Sequence, residues 1–206
     1  MSKINQSSYR QIMKATSLFG GVQFINILIQ IIRSKIIAVL LGPTGIGILG
    51  LLNSTITMVK CGTDFGLGVS AVKDIALANE SENNLKVSET VTIVRRLVWL
   101  TGTLGTLVVF FFSSWLSQVT FGNDDFTIAF IWISITLLFQ QLTTGQFVIL
   151  QGLRKLNLLA KANVLGSALA LIFTVPLYYL YGLDGIVPGI IGTSLISLIV
   201  AWYYSK

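Results

Sequence analysis

Four stretches of the chain, residues 97–123, 126–153, 162–183 and 185–205, contain no charged side chain. Each reaches the length of about 20 apolar residues that a helix needs to cross a bilayer. Two more apolar stretches flank the turn Gly42-Pro43-Thr44-Gly45, and only Arg33, Lys35 and Lys60 interrupt them. Charged residues make up 11% of the chain, against roughly 25% in a soluble domain, so a water-facing surface cannot be built. Open strands are excluded because lipid cannot satisfy a sheet edge. Runs such as Leu107–Phe112 and Ile131–Phe139 lack the alternation of a barrel strand. The expected fold is all-α: a polytopic membrane helix bundle of about six transmembrane helices. It forms one unit over residues 1–206, with helices near 15–41, 45–68, 97–119, 127–150, 162–181 and 185–204.

The basic residues give the orientation. Of the 14 Lys and Arg, Lys3, Arg10 and Lys14 precede the first span. Lys73, Lys86, Arg95 and Arg96 follow the second, Arg154, Lys155 and Lys161 follow the fourth, and Lys206 follows the sixth. The opposite turns, Gly42–Thr44, Gly122–Asp125 and Gly182–Asp184, hold none. The positive-inside rule then places both termini in the cytoplasm. No small-residue cleavage site follows the first apolar run, so it reads as a retained span. Residues 69–96 are polar. Val72, Ile75 and Ala76 share a face, as do Val87, Val91 and Val94, which leaves open a solvated loop or a surface-lying helix.

Composition removes several chemistries. The chain has no His and one Cys, Cys61. His-dependent triads, His-ligated metals, disulfides within the chain and Cys clusters are excluded in their usual forms. No catalytic residue, metal or cofactor is expected. The net charge of +6 follows membrane sidedness, so no nucleic-acid partner is expected.

The polar residues within the spans are patterned. Gln23, Asn26, Gln30 and Arg33 are spaced as one helical face. Lys35 lies about 200° round the same wheel and reads as a side chain that snorkels to the headgroups. Asn53, Thr57, Lys60 and Asp64 form a second stripe. It reads either as a cavity wall or, for Lys60 and Asp64, as a structural i, i+4 pair. The fourth span adds Thr136, Gln140, Gln141, Thr143 and Thr144, which suit a cavity wall or interhelical glue. At 1.5 Å per residue, Arg33 lies about 12 Å and Lys60 about 24 Å from the outer ends of their spans. Two cations at different depths along one cleft suit an anion, and the bidentate geometry of Arg suits phosphate. Gly62 with Gly66, and Gly185 with Gly189, match a small-xxx-small pattern that signals close packing.

Several short segments carry a family likeness. Lys14-Ala15-Thr16-Ser17-Leu18 opens the first span, and Leu40-Leu41-Gly42-Pro43-Thr44-Gly45-Ile46-Gly47 forms the first turn. Asp64-Phe65-Gly66-Leu67-Gly68 with Val72-Lys73 closes the second span, Leu150-Gln151-Gly152-Leu153-Arg154-Lys155 follows the fourth, and Tyr181-Gly182-Leu183-Asp184-Gly185-Ile186 precedes the sixth. In order and spacing over the whole chain they resemble the N-terminal six-helix half of Wzx-type O-antigen flippases, a polysaccharide-export branch of the MOP (MATE-like) superfamily. The resemblance implies a protein of the bacterial inner membrane that takes part in O-antigen or lipopolysaccharide synthesis. It would move undecaprenyl-pyrophosphate-linked sugar units from the cytoplasmic to the periplasmic leaflet, without covalent chemistry. It implies that Arg33 and Lys60 engage the phosphates, the remaining polar stripe residues lining the path. Family members carry two six-helix halves, so a second half or another copy of the chain is the expected partner. The alternatives are a secondary transporter of another small solute and a non-transporting truncated remnant.

Overall fold

A computed structural model describes the backbone of residues 3–81 and 83–206, and side chains from Gly20 onward except that of Glu82. The charges of Lys3, Arg10 and Lys14, and the Glu82 position, therefore lie outside the described residues. The described chain is helical, without strands. Its elements are α1 (Lys3–Thr63), α2 (Leu67–Glu80), α3 (Asn84–Phe111), α4 (Ser113–Phe121), α5 (Thr127–Gly152), α6 (Leu156–Tyr181), a 3₁₀ turn (Gly182–Gly185) and α7 (Ile186–Ser205).

Four stretches are long and apolar enough to cross a membrane: Gly20–Thr63, Asn84–Phe111, Thr127–Gly152 and Leu156–Ser205. The first and last have 44 and 50 residues, about 66 and 75 Å if straight, twice or more the bilayer core of about 30 Å. Each is broken near its middle. In α1 the break is Gly42, at φ 65° and ψ −173°, a region open almost only to glycine. Pro43 follows, with no N–H to offer and its ring preset for the first turn of a new helix. The other break is the 3₁₀ turn, entered through Gly182 at φ 54°.

The break in α1 reverses the chain. Ile37 and Leu41 on one side share a buried core with Leu52 and Ile56 on the other, together with Val109, Leu116, Phe130, Ile133, Leu137, Tyr178, Ile186 and Ile190. In an unbroken helix Ile37 and Ile56 would stand about 28 Å apart. Residues 43–63 therefore run back beside the part of α1 just before the break, from about residue 29 to 41, and Gly45 lies against both Leu41 and Leu183 of the 3₁₀ turn. Near this end Ser114 and Gln118 donate to the Asp124 carboxylate at 2.9 Å and 3.0–3.2 Å. These bonds hold its carboxyl below the usual carboxylate range.

A second core closes the opposite end, where Ala71 and Ile75 of α2 meet Val94 and Val98 of α3 and Val148 and Ile149 of α5. Residues 67–80 thus form a helix rather than a solvated loop. One face of α2 is packed, while Val69, Lys73 and Leu77 stay exposed. An exposed salt bridge from Arg154 to Glu80 ties α2 to the turn after α5.

Element limits differ from expectation at several places, with α1 beginning at Lys3 rather than near 15 and α6 at Leu156 rather than near 162. The second span, expected to reach residue 68, stops at Thr63, because Phe65 and Gly66 take φ of 48° and 71°. The third helix begins at Asn84 rather than near 97, capped by Asn83 Oδ1, which accepts from the Leu85 and Lys86 amides. It breaks at Phe112, with α4 continuing to Phe121.

Candidate functional site

Helix α7 packs along both α5 and α6, which meet each other over much less of their length. A gap is left between α5 and α6, and α1 faces it. The result is a cleft of about 550 Å³, within the range of about 300–1,000 Å³ typical of ligand sites. From α1 it is lined by Ile29, Gln30 and Arg33 before the break and by Leu49, Asn53 and Lys60 after it. Helix α5 contributes Gln140, Thr143, Thr144 and Phe147. Helix α6 contributes Ala162, Asn163, Gly166, Ser167 and Ala170, and α7 contributes Ile190, Thr193, Ser194 and Ser197.

The fold-back at Gly42 is what brings the two cations together. A continuous helix would hold Arg33 and Lys60 about 40 Å apart; here both line one cleft. Among the described residues its lining has two cations and no carboxylate. Lys60 Nζ donates to Thr144 Oγ1 at 3.2 Å, which uses one of its three protons. Arg33 Nε is buried and has no hydrogen-bond partner among the described residues. Donor capacity for an anion is therefore present and unspent.

The hydroxyls play the opposite part. Thr143 and Thr144 donate to the carbonyls of Phe139 and Gln140. Thr193, Ser194 and Ser197 donate to those of Ile190, Ile191 and Thr193. A hydroxyl whose proton is held by its own helix offers only lone pairs to a ligand. The cleft thus combines cationic donors with a row of acceptor oxygens.

Of the residues singled out from sequence, Gln30, Arg33, Asn53, Lys60, Gln140, Thr143 and Thr144 line the cleft. The others stand elsewhere. Gln23 is exposed. Asn26 has a buried Oδ1 without a partner but is outside the lining. Thr57 is exposed, its hydroxyl donating to Asn53 O at 2.7 Å. Asp64 sits past the end of α1, where Gln141 Nε2 donates to its Oδ1 at 2.5 Å and to Thr101 Oγ1 at 3.1 Å. It therefore joins α1 to α3 and α5 away from the cleft, and no salt bridge among the described residues links it to Lys60. Lys35 is exposed and outside the lining. Among the described residues the Gly62/Gly66 pair packs on nothing, since a Cβ at either position would meet none of their atoms within 4 Å.

The sequence reading omitted the α6 and α7 walls. Asn163 and Ser167 are four apart, and Thr193, Ser194 and Ser197 share a face. These polar positions in otherwise apolar helices were the available signal.

A family model described as "Polysaccharide biosynthesis protein" matches residues 12–206. No curated protein and no solved structure matches the chain.

Proposed function

We propose, for a chain that belongs to the polysaccharide biosynthesis protein family, that it is a membrane flippase, or the cation-bearing half of one, for sugar units carried on a polyprenyl pyrophosphate. The observation that carries this reading is the cleft with Arg33 and Lys60 on its wall and no carboxylate among its described lining residues. A pyrophosphate is a doubly charged acceptor that uses both cations. The lone pairs of Thr143, Thr144, Thr193, Ser194 and Ser197 accept from sugar hydroxyls, and the volume suits a headgroup with its first sugar. No bond need be made or broken. Transport by exposure of the cleft to one leaflet and then the other is sufficient, and Wzx-type O-antigen translocation in a bacterial inner membrane is the finer form of this proposal.

In this reading Gly20–Thr63 and Leu156–Ser205 each cross twice, giving six passes with the Gly42, Asp124 and Asp184 turns in the periplasm. Only 17% of the apolar window of Gly20–Thr63 is buried, against 44% for Thr127–Gly152, and Gln23 and Lys35 on that helix are exposed outside the cleft. Polar side chains facing lipid are costly. A second six-helix half or another copy of the chain covers this face in the proposal.

Topology gives an accessible test. In a Cys61→Ser background, Asp124→Cys should react with an impermeant maleimide in intact cells, and Lys155→Cys only after permeabilisation. Labelling of residue 155 but not 124 would overturn the orientation. A transporter of a small soluble anion is the second reading, favoured by the cleft volume alone. Reconstituted into vesicles, the protein should reorient a fluorescent polyprenyl-pyrophosphate sugar; uptake of a soluble anion without lipid reorientation would select the second reading.

A further inference from the structure

Lys60 and Asp64 stand four residues apart at the end of α1, the spacing at which opposite charges on a helix meet. They do not pair: no salt bridge among the described residues joins them. The carboxylate is engaged from another helix instead. Gln141 of α5, 3% exposed, donates through Nε2 to Asp64 Oδ1 at 2.5 Å and to Thr101 Oγ1 at 3.1 Å. An amide nitrogen carries two protons, and both are spent. Thr101 donates its own proton to the Leu97 carbonyl at 3.0 Å. A carboxylate and a hydroxyl whose proton is committed both require a donor, which fixes the amide with its nitrogen toward them.

Close packing holds Gln141 in place. A Cβ at Gly102 of α3 would stand 3.2 Å from Gln141 Cβ and 3.0 Å from Leu138 Cδ1, and one at Gly105 would stand 3.0 Å from Thr63 Oγ1. These two glycines, both buried, let α5 and the end of α1 approach α3 together. The Lys60 ammonium meanwhile donates to Thr144 Oγ1 at 3.2 Å and lines the cleft. Thr144 is about one turn beyond Gln141 on α5, so one helix receives the ammonium and the carboxylate at separate places. An ammonium bridged to a carboxylate would offer an oxyanion little net charge and one donor fewer.

We propose that Gln141 is a positioning residue for the cleft: it holds the Asp64 carboxylate away from Lys60 and so keeps that cation unpaired and available to an anion. The proposal rests on the anion-cleft reading above and adds to it the residue that keeps the cleft cationic. Gln141 acts through Lys60, from outside the cleft lining.

The test is titration of inorganic pyrophosphate into the purified full chain in nanodiscs, with the melting temperature recorded for each variant. Gln141→Met keeps the length of the side chain and removes its donors. Asp64 then closes on Lys60, and the pyrophosphate Kd should rise about tenfold, as for loss of one hydrogen bond to a charged group. Asp64→Asn keeps an acceptor for Gln141 and removes the charge, so its Kd should equal that of wild type or fall below it. Gln141→Met combined with Asp64→Asn has no carboxylate to release, and its Kd should return to within about twofold of wild type. In a Lys60→Ala background Gln141→Met should add little, because it acts through that cation. Binding by the double variant as weak as that by Gln141→Met would overturn the sequestering role and leave Gln141 as packing alone. Wild-type affinity in Gln141→Met would overturn the role of Gln141 and leave the cleft reading standing. So would a tenfold loss of affinity in Asp64→Asn, a variant that leaves the packing of Gln141 intact and tests the point even if Gln141→Met lowers the melting temperature. Absence of binding by wild type, or unchanged binding by Lys60→Ala, would overturn the cleft reading itself.

Discussion

Export of surface polysaccharide is expected to fall by roughly thirtyfold or more when Arg33 or Lys60 is replaced by Ala in the protein as the cell makes it, with its amount in the membrane unchanged. The reasoning starts from desolvation. Each cation is held in a partly buried wall, and no carboxylate among the described lining residues shares the cleft. An anion that enters loses its water and regains it only as charge-assisted hydrogen bonds. Removing one partner leaves the other charge buried and unpaired, which costs about 2–5 kcal/mol in comparable charge pairs. Lys35→Ala is the internal control. That side chain is exposed and outside the lining, so it should leave export close to wild type. Equal damage from Lys35→Ala and Arg33→Ala would show that proximity to the cleft is not what matters. Thr144→Val, which removes the hydroxyl that accepts from Lys60, should have a smaller effect, since it frees a donor rather than deleting a charge.

The second large effect is expected at Gly42. Its φ of 65° with ψ of −173° is outside the left-handed helical well that Asn or Asp tolerates, so Gly42→Ala and Gly42→Asn should be about equally harmful. A side chain there costs about 1–3 kcal/mol, and a β-branched one such as Val more. The strain is placed at the reversal that brings Arg33 and Lys60 to one cleft. Thermal unfolding in detergent should show a lowered melting temperature for all three variants, and export should fall with it. Gly47→Ala is the contrast. Gly47 is helical, with open space where a Cβ would be, and Ala there should stabilise by about 1 kcal/mol through helix propensity. A Gly42→Ala protein as stable as wild type would mean that the reversal does not depend on glycine.

The fold class was legible because apolar run length leaves few choices in lipid. The reversal at Gly42 was legible for a similar reason: Gly-Pro-Thr-Gly punctuates a run too long to cross once. Arg33 and Lys60 stood out because a charge inside an apolar helix is expensive wherever it lies. Asp64 shows where the helical wheel loses its hold. The spacing of Asn53, Thr57, Lys60 and Asp64 describes one face only while the helix continues, and the positive φ of Phe65 and Gly66 ends it at Thr63. Asp64 then turns toward Gln141 and α3. The α6 and α7 walls were faint because Ser and Thr in apolar helices usually bond to their own backbone, as Thr193, Ser194 and Ser197 do here. Nothing local tells a lone pair facing a cleft from one facing a neighbour. The Gly185/Gly189 spacing signalled close packing, but the ring it accommodates, that of Tyr178, lies on another helix and emerges only from the tertiary fold.

A water-accessible cleft lined by Arg33 and Lys60 makes a simple electrostatic demand on any reagent that enters it. Ser167 and Ser194 line the cleft from α6 and α7. Each can be replaced by Cys in a Cys61→Ser background and exposed in turn to a negatively charged and a positively charged methanethiosulfonate of similar size. Two unit charges at about 10 Å and an effective dielectric of about 20 interact by about 1.7 kcal/mol. The anionic reagent should therefore react at least roughly tenfold faster than the cationic one, after correction for their reactivity with a free thiol, and Arg33→Ala with Lys60→Ala should erase the preference. Equal rates for the two reagents in the wild-type background, or a preference that survives loss of both cations, would contradict an anion-conducting cleft at this place in the bundle.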